Sequence, residues 1–286
     1  MLSTELKHFA IGRERCELSL RTIKSRRTVR AAASFVVLAM AFLSTSDLAA
    51  QGTLGTAQSF GVLGASTVTN TGPTTITGDL GVSPGTAITG QGSITLNGAV
   101  HDADAVALQA QQDASTAYNN LAALPVTTDL TGQDLGGMTL TPGVYFFSSS
   151  AQLTGNLFLN FLGGPNSTFV FQIGSALTTA SGSSVSETTG APGANVFWQV
   201  GSSATLGTGT QFQGTIIADQ SVTLTTGASI SCGRAIALNG AVTMDTNVIS
   251  TECGGATSTV PEPSSMALLG TGMLGLFPML RRRRNG

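Results

Sequence analysis

Apolar residues return in a regular order through the second half of the chain. Four segments share an alternation of apolar and small polar residues, and each follows another short apolar run: 176–185, 204–212, 222–230 and 242–249. The last three start at residues 204, 222 and 242, which are 18 and 20 residues apart. Short strands with glycine-rich corners and a repeat of about 20 residues are typical of a β-solenoid built from stacked rungs. A β-sandwich with irregular strand spacing is the alternative.

The same alternation predicts which side chains fill the interior. Every second residue of a strand points to the same side, so aligned apolar residues should stack from rung to rung. One predicted interior column contains Leu177, Leu206, Leu224 and Met244. A second contains Val185, Phe212, Ile230 and Ile249.

One segment follows a helical period instead. Alanine or leucine recurs three or four residues apart at positions 103, 107, 110, 114, 117 and 121. This spacing places small residues on one face of a helix, predicted over 103–123. Asp102 or Asp104 can cap its start, and Pro125 follows its end. The alanine stripe would let the helix lie closely along the solenoid.

The beginning of the chain reads as a secretory signal peptide. Residues 1–30 carry eight of the 13 Lys and Arg residues, and a mainly apolar stretch follows at 31–43. That stretch is too short to span a bilayer, which takes about 20 residues, and small residues follow it. We expect cleavage after Ala50, which assigns 1–50 to the signal; a membrane anchor is the alternative.

The end of the chain carries three parts in a fixed order. A Val-Pro-Glu-Pro sequence ends with Pro261, Glu262 and Pro263, an apolar stretch follows at 266–280, and then come Arg281, Arg282, Arg283 and Arg284. This tail, 260–286, resembles the PEP-CTERM sorting signal of Gram-negative bacteria. The resemblance implies transient insertion in the inner membrane, with the arginines on the cytoplasmic side, and cleavage by an exosortase. A permanent anchor is the alternative. Families with this tail are associated with exopolysaccharide export.

Between the two signals, residues 51–259 form one predicted domain with an unusual charge balance. They contain ten Asp and Glu but only one Lys or Arg, Arg234, for a net charge of −9. Such a surface cannot neutralise phosphates, which excludes nucleic acid and anionic membranes as partners. Arg234 is expected to be a buried or edge cation paired with a carboxylate or with carbonyls.

Two cysteines, Cys232 and Cys253, remain in this domain. An even number of cysteines in an exported chain favours a disulfide. A metal site is the rival interpretation, but two thiols and one histidine make a poor zinc cage.

Several segments together resemble the ice-binding-like family of secreted microbial proteins. They include "LGTAQSFGVLGASTVTNTG", "LTPGVYFFSSSAQLTG", "NVFWQVGSSATLGTGTQFQGTIIA" and "GRAIALNGAVTMDTN". The resemblance covers nearly all of residues 54–250. It implies a discontinuous right-handed β-solenoid with one long helix alongside, an all-β fold apart from that helix. It also implies that the N-terminal segment is inserted back into the stack, so that rung order differs from sequence order.

Some members of that family use a Thr-(Ala/Gly)-x-(Thr/Asn) pattern on strands that face ice. Matching it here gives Thr71-Gly-Pro-Thr74, Ser181-Gly-Ser-Ser184, Thr208-Gly-Thr-Gln211 and Thr226-Gly-Ala-Ser229, with Gln211 where a short residue is expected. The residues of these four segments that we predict to bind ice are Thr71, Thr74, Ser181, Ser184, Thr208, Thr210, Thr226 and Ser229. Stiff β-branched threonines on a flat lattice of strands would hold ordered water through hydroxyl and methyl groups. Glycine corner turns with solvated hydroxyls are the alternative interpretation.

A catalytic function is not indicated. The predicted domain has one histidine, His101, and Asp79, Asp219 and Asp245 fall singly on different rungs, without a nucleophile motif or a paired acid and base. Asp102 and Asp104 have the chemistry for Ca²⁺, but helix capping explains them, and no cofactor or metal is expected.

Two functions remain for this secreted or cell-surface protein. The first is an exported ice-binding protein that adsorbs to ice or ordered water through a flat Thr/Ser/Gly-rich face. The second is a matrix or exopolysaccharide-associated adhesion module without ice activity. The expected partners are ice, the signal peptidase and exosortase that process the chain, and exopolysaccharide. The domain is expected to be a monomer.

Overall fold

The computed structural model describes residues 54–162, 167–188 and 195–253. The predicted signal peptide and the sorting tail lie outside the described residues. Within the part that is described, no helix is long and apolar enough to cross a membrane.

The described chain consists mainly of short strands and contains one α-helix. The strands before the helix are β1 (Phe60–Gly64), β2 (Thr67–Thr71), β3 (Thr74–Thr77), β4 (Asp79–Val82), β5 (Ala87–Thr89), β6 (Ile94–Asn97) and β7 (Val100–Asp102). The helix is α1 (Ala105–Ala122). The strands after it are β8 (Thr128–Asp129), β9 (Thr139–Leu140), β10 (Gly143–Phe147), β11 (Ala151–Leu153), β12 (Asn156–Leu159), β13 (Phe169–Ile173), β14 (Leu177–Thr179), β15 (Ser184–Glu187), β16 (Val196–Val200), β17 (Ala204–Leu206), β18 (Gln211–Ala218), β19 (Val222–Leu224), β20 (Ser229–Ala237), β21 (Val242–Asp245) and β22 (Val248–Ser250).

The strands stack in parallel into a solenoid with three faces. The helix face contains β8, β10, β13, β16, the second halves of β18 and β20, β1, β4 and β7. The threonine face is a separate seven-stranded sheet in the order β11-β14-β17-β19-β21-β2-β5. The mixed face contains β9, β12, β15, the first halves of β18 and β20, β22, β3 and β6. Each complete rung crosses the three faces in that order.

The rungs do not stack in sequence order. The first rung of the chain, β1 to β3, lies beside the last one, because β1 pairs with β20, β2 with β21 and β3 with β22. The rung of β4, β5 and β6 then extends the stack beyond it. The discontinuous solenoid implied by the family resemblance is therefore confirmed, and the β-sandwich is excluded.

The interior is filled by apolar columns, one of which was aligned wrongly in the sequence analysis. Val185, Phe212, Ile230 and Ile249 are buried at one register, as predicted. Leu206, Leu224 and Met244 also share a column. Leu177 is buried but pairs with Ala204, one interior position earlier. Thr179 takes the place beside Leu206, because its hydroxyl is needed at the adjacent corner.

Helix α1 packs its alanine stripe on the helix face. Ala107, Ala110, Ala114, Ala117 and Leu121 are buried against strand residues that include Phe60, Val170, Phe197 and Ile236. The Asp104 carboxylate accepts the Ala107 amide at 2.8 Å, which identifies the N-cap. The helix is slightly shorter than predicted, because Ala103 has a φ of 50° and stands outside it.

Two further predictions concern single side chains. The buried Arg234 guanidinium donates to the Gln58 carbonyl and the Thr215 hydroxyl, so the expected pairing with carbonyls is confirmed. Burial lowers the pKa of Arg234 to about 10. Cys232 and Cys253 form the expected disulfide, with their Cα atoms 4.2 Å apart, and it links the chain after β22 back to β20.

Candidate functional site

A ladder of threonines runs along the middle of the threonine face. Most strands of this sheet are only a few residues long. Since side chains alternate along a strand, the middle residue points outward while the residues on either side of it point into the core. The strand pairs align these central residues in the order Gln152, Thr178, Thr205, Thr223, Thr243, Thr69 and Thr89. Six consecutive rungs therefore present a threonine at the same position.

The ladder is regular because the strands are in register. None of the six strand pairs of this face contains a register shift. Adjacent strands lie about 4.8 Å apart, and outward residues of one strand lie about 6.7 Å apart. The face is therefore a two-dimensional lattice of side chains.

Small residues flank the ladder on both sides. The column before it contains Ala176, Ser203, Ser221, Ala241, Thr67 and Ala87. The column after it contains Thr154, Ala180, Gly207, Thr225, Asp245 and Thr71. Apart from Asp245, the residues of these two columns are Ala, Ser, Thr or Gly, so their side chains are no longer than the ladder threonines.

The interior behind the ladder holds it in place. Ala204, Val222, Val242 and Val68 lie next to the ladder threonines and are fully buried. A β-branched threonine has few accessible χ1 rotamers, and a packed strand restricts its backbone as well. The ladder is thus a rigid array of hydroxyl and methyl groups.

Two carboxylates lie next to the ladder. Asp245 accepts hydrogen bonds from the hydroxyls of Thr226 and Thr246 at one corner. Asp134 pairs with Gln152 at the end of the ladder. Burial alone would raise the pKa of Asp134, but hydrogen bonds from Thr154 and Gly136 outweigh it and leave the pKa below its usual range. Asp134 lies at the end of the ladder and Asp245 lies in the column beside it, while the six-threonine ladder itself is neutral.

Five of the eight residues predicted as a site lie at or just after the corner between the threonine face and the mixed face. Ser181, Thr208 and Thr226 are exposed at equivalent corner positions, where each precedes a glycine with positive φ. Ser184 and Ser229 come after the corner and begin strands of the mixed face. The predicted residues therefore form a corner row and part of a second face, not one plane.

Thr210 does not lie on any surface. Its exposed fraction is 0%, and its hydroxyl lies 2.7 Å from the Thr179 hydroxyl inside the solenoid. The third residue of the Thr-Gly-x-x corner points inward, which satisfies polar groups of the turn and stabilises the corner. Thr210 is therefore removed from the candidate surface.

Thr74 is also buried, at 1% exposed, where its hydroxyl accepts the Asn247 amide. The register explains this placement: Thr75, not Thr74, pairs with Val248 and thus aligns with Ser229. The Thr71-Gly-Pro-Thr74 match is shifted by one residue relative to the other corners. In consequence Thr71 lies on the threonine face itself, paired with Asp245.

The ladder threonines were missed in the sequence analysis, although a signal for them was present. Each of several short strands reads as apolar-threonine-apolar, as in Ala204–Leu206, Val222–Leu224 and the Val242-Thr243-Met244 segment. Period-two alternation predicts that the central residue points outward. The Thr-(Ala/Gly)-x-(Thr/Asn) pattern selects the corners and not the strands that precede them.

The described residues do not form a cluster of metal ligands. No group of three or more His, Cys, Asp or Glu is placed to hold a metal ion in the described chain. His101 Nδ1 lies 2.8 Å from the carboxylate of the helix cap Asp104, and its ring packs against Phe60. These contacts join the start of α1 to the solenoid.

Comparison with known proteins places this architecture in a family. The ice-binding-like family profile matches residues 62–250. The chain belongs to the ice-binding-like family. An ice-binding protein of Nostoc sp. (strain HG1) is 58% identical over 252 residues, covering 87% of this chain and 93% of that protein.

Solved structures agree with this assignment. The crystal structure of an ice-binding protein from an Antarctic biological consortium has a TM-score of 0.68 and 49% sequence identity, covering 70% of this chain and 90% of that one. The ice-binding protein from the Antarctic ascomycete Antarctomyces psychrotrophicus has a TM-score of 0.65 and 40% sequence identity, covering 70% of this chain and 98% of that one.

The sorting tail has its own match. The PEP-CTERM protein-sorting motif matches residues 259–284. This motif implies export and sorting to the cell surface in a Gram-negative bacterium.

Proposed function

We propose that this protein binds ice, and that the threonine face is the surface that adsorbs to it. The observation that carries the proposal is the in-register ladder from Thr178 to Thr89, neutral and six threonines long. The relatives named above as ice-binding proteins support the activity. The ladder gives that activity a location on this chain.

The chemistry of the face suits a ligand made of ordered water. Each threonine hydroxyl can donate one hydrogen bond and accept two, while its methyl group leaves adjacent water few orientations. Waters bridging between rungs are already held, so merging them with a crystal costs little additional entropy. The ladder itself contains no lysine, arginine or carboxylate, and the Asp245 carboxylate in the adjacent column already accepts hydrogen bonds from the Thr226 and Thr246 hydroxyls.

The exposed corner residues extend this surface at its rim. Ser181, Thr208 and Thr226 follow the threonine face along one corner, and Thr71 is on the face itself. Ser184 and Ser229 lie beyond the corner and are proposed only as peripheral contacts. The flat central area, more than any single hydroxyl, is proposed to determine binding.

The proposal includes a route to the cell exterior. A signal peptidase removes residues 1–50, the tail at 260–286 inserts transiently in the inner membrane, and an exosortase cleaves near Pro261 to Pro263. The product is a monomeric domain, about 51–259, that acts without a cofactor or catalytic step. The adhesion module without ice activity has no support among the relatives and is not proposed.

The test is ice growth in the presence of the purified, oxidised protein. We expect faceted crystals and slower recrystallisation at micromolar concentration, because an adsorbed protein must block growth at the plane it covers. The same protein denatured by heat and reductant is the matched control. Round crystals and normal recrystallisation at high concentration of the folded protein would refute the proposed function.

A further inference from the structure

A groove lined by both polar and apolar groups lies between α1 and the corner that joins the helix face to the threonine face. Its volume is about 430 Å³, within the range of roughly 300–1,000 Å³ typical of small-molecule sites. One wall is formed by helix residues Gln111, Gln112, Tyr118 and Asn119. The opposite wall is formed by the turns after β18, β20 and β4, which contribute Asp219, Asn239 and Pro84. The groove is separate from the threonine ladder.

The lining has a consistent chemistry. Four carboxamides, three hydroxyls and one carboxylate line the groove together with Pro84 and Leu238, and no lysine or arginine is among them. Carboxamides both donate and accept hydrogen bonds, as do hydroxyl groups of a ligand. The absence of a cation in the lining argues against phosphate or other anions, which need one.

Part of this lining is already fixed in position. The Asn239 amide donates to the Asp219 carbonyl at 2.9 Å and to its carboxylate at 3.1 Å, while the Gln220 amide donates to the other carboxylate oxygen at 2.6 Å. A carboxylate has about four acceptor positions, so each oxygen can still accept a ligand hydroxyl. Such an oriented acceptor loses little entropy on binding.

Tyr118 supplies a complementary group. Burial raises the pKa of Tyr118, a hydrogen bond with Gln199 opposes the shift, and the Asp219 charge raises the pKa further. The phenol is therefore protonated at neutral pH. Its ring also offers an apolar surface for the C–H face of a ligand.

The inner wall of the groove is fixed by Gln111. Gln111 is only 9% exposed, and its amide nitrogen donates to the Ala237 carbonyl at 3.1 Å. Its Oε1 atom is buried and has no hydrogen-bond partner among the described residues.

We propose that this groove binds a neutral saccharide, one or two sugar rings of a longer chain. Sugar hydroxyls match the carboxamides and Asp219, and the apolar face of the ring matches Tyr118, Pro84 and Leu238. The net charge of −9 over residues 51–259 disfavours an anionic polymer. The site is additional to ice binding and does not depend on it.

The experiment is a titration of the purified protein at 25 °C, without ice, followed by calorimetry and saturation-transfer NMR. The probes are cellotetraose, maltotetraose and isomaltotetraose, with tetragalacturonate as the anionic comparison. We expect at least one neutral tetrasaccharide to bind with a Kd between about 10 μM and 5 mM, as a few hydrogen bonds on an open groove allow. Tetragalacturonate should bind more weakly.

Matched variants decide where the saccharide binds. Asn119 lines the groove, whereas its exposed neighbour Asn120 does not. Asn119→Ala and Gln112→Ala should each weaken binding by about 2- to 10-fold, the value of one hydrogen bond. Asn120→Ala should leave the Kd unchanged.

Three results would overturn the proposal. The first is the absence of binding by every neutral probe at 10 mM, roughly the weakest affinity a useful site would have. The second is equal weakening by Asn119→Ala and Asn120→Ala. The third is tetragalacturonate binding as tightly as the neutral probes. Ice shaping by the same preparation shows independently whether the proposed ice activity is present.

Discussion

The threonine face and the mixed face are made by the same rungs but expose different chemistry. On the threonine face, one position carries threonine on six consecutive rungs. The equivalent position of the mixed face reads Asn156, Ser184, Gln211, Ser229, Val248, Thr75 and Thr95. Val248 is 55% exposed in this column. Identical backbone stacking therefore does not produce an identical surface.

The length of the side chains is our reason for proposing the threonine face, and not the mixed face, as the ice-binding surface. Glutamine and asparagine adopt many rotamers, and ordering a long polar side chain costs roughly 1–2 kcal/mol. On the mixed face, binding would have to order the side chains of Gln211 and Gln213, which lie in neighbouring columns. Threonine is short and stiff, so the threonine face is ordered before any ligand arrives. The proposal therefore rests on uniform spacing and preorganisation, and not on the number of hydroxyls.

The largest effect on ice activity is expected from a tyrosine in the middle of the ladder. Thr223→Tyr would raise a bulky ring above the plane and separate several rungs from the crystal at once. We expect it to abolish most thermal hysteresis and recrystallisation inhibition without a large change in melting temperature, because Thr223 points outward. Hysteresis by nanolitre osmometry and melting by circular dichroism measure the two quantities.

Ser231→Tyr is the matched control on the same rung. Ser231 is exposed on the mixed face, in the first half of β20. We expect the Ser231→Tyr protein to retain full activity. The opposite pattern, with Ser231→Tyr inactive and Thr223→Tyr active, would transfer the ice-binding role to the mixed face.

A smaller effect is expected at the corner between the two faces. Thr226 is exposed there and donates its hydroxyl to Asp245. Thr226→Tyr should reduce hysteresis partially, because it obstructs only the rim of the flat area. Thr226→Ala removes one hydroxyl and keeps the surface low, so it should cost less than the tyrosine.

The control for this pair is Gln109→Tyr, at an exposed position of α1. It should leave hysteresis at the level of the unmodified protein. If Thr226→Tyr were as damaging as Thr223→Tyr, the corner row would be part of the central surface and not its rim.

The smallest effect on ice activity is expected from loss of the disulfide. Cys232 and Cys253 are 21 residues apart and join β20 to the segment after β22, beside the mixed face. A double Cys232→Ser, Cys253→Ser variant should lose about 2–4 kcal/mol of unfolding free energy, the usual value for such a loop. Near 0 °C the variant should still be folded and shape ice, because the threonine face is intact.

Denaturant unfolding and ice shaping on the same sample would check this separation. An unchanged unfolding free energy would argue against a stabilising disulfide. A folded variant without ice activity would show that the mixed-face side of the rung contributes to adsorption after all.

Much of the fold could be predicted from the sequence because it depends on patterns within short segments. The repeat near 20 residues, the buried column from Val185 to Ile249, the alanine stripe of α1 and its Asp104 cap are all encoded by spacing within short segments. Their physical origin is the side-chain period of strands and helices. The candidate site could be predicted only in part, because two of its eight residues, Thr74 and Thr210, proved to be buried.

The sequence by itself determined an acidic, threonine-rich solenoid with one helix, a sorting tail and a disulfide pair. Only the tertiary structure decided which threonines share a plane. Corner residues change direction within one or two positions, and a shift of one residue moves a side chain from surface to interior, as it does for Thr74. The ladder is also completed by pairing between distant segments: Thr69 and Thr89 extend it only because β2 stacks on β21. No local pattern specifies that contact, since its stability comes from burying both rungs in one continuous core.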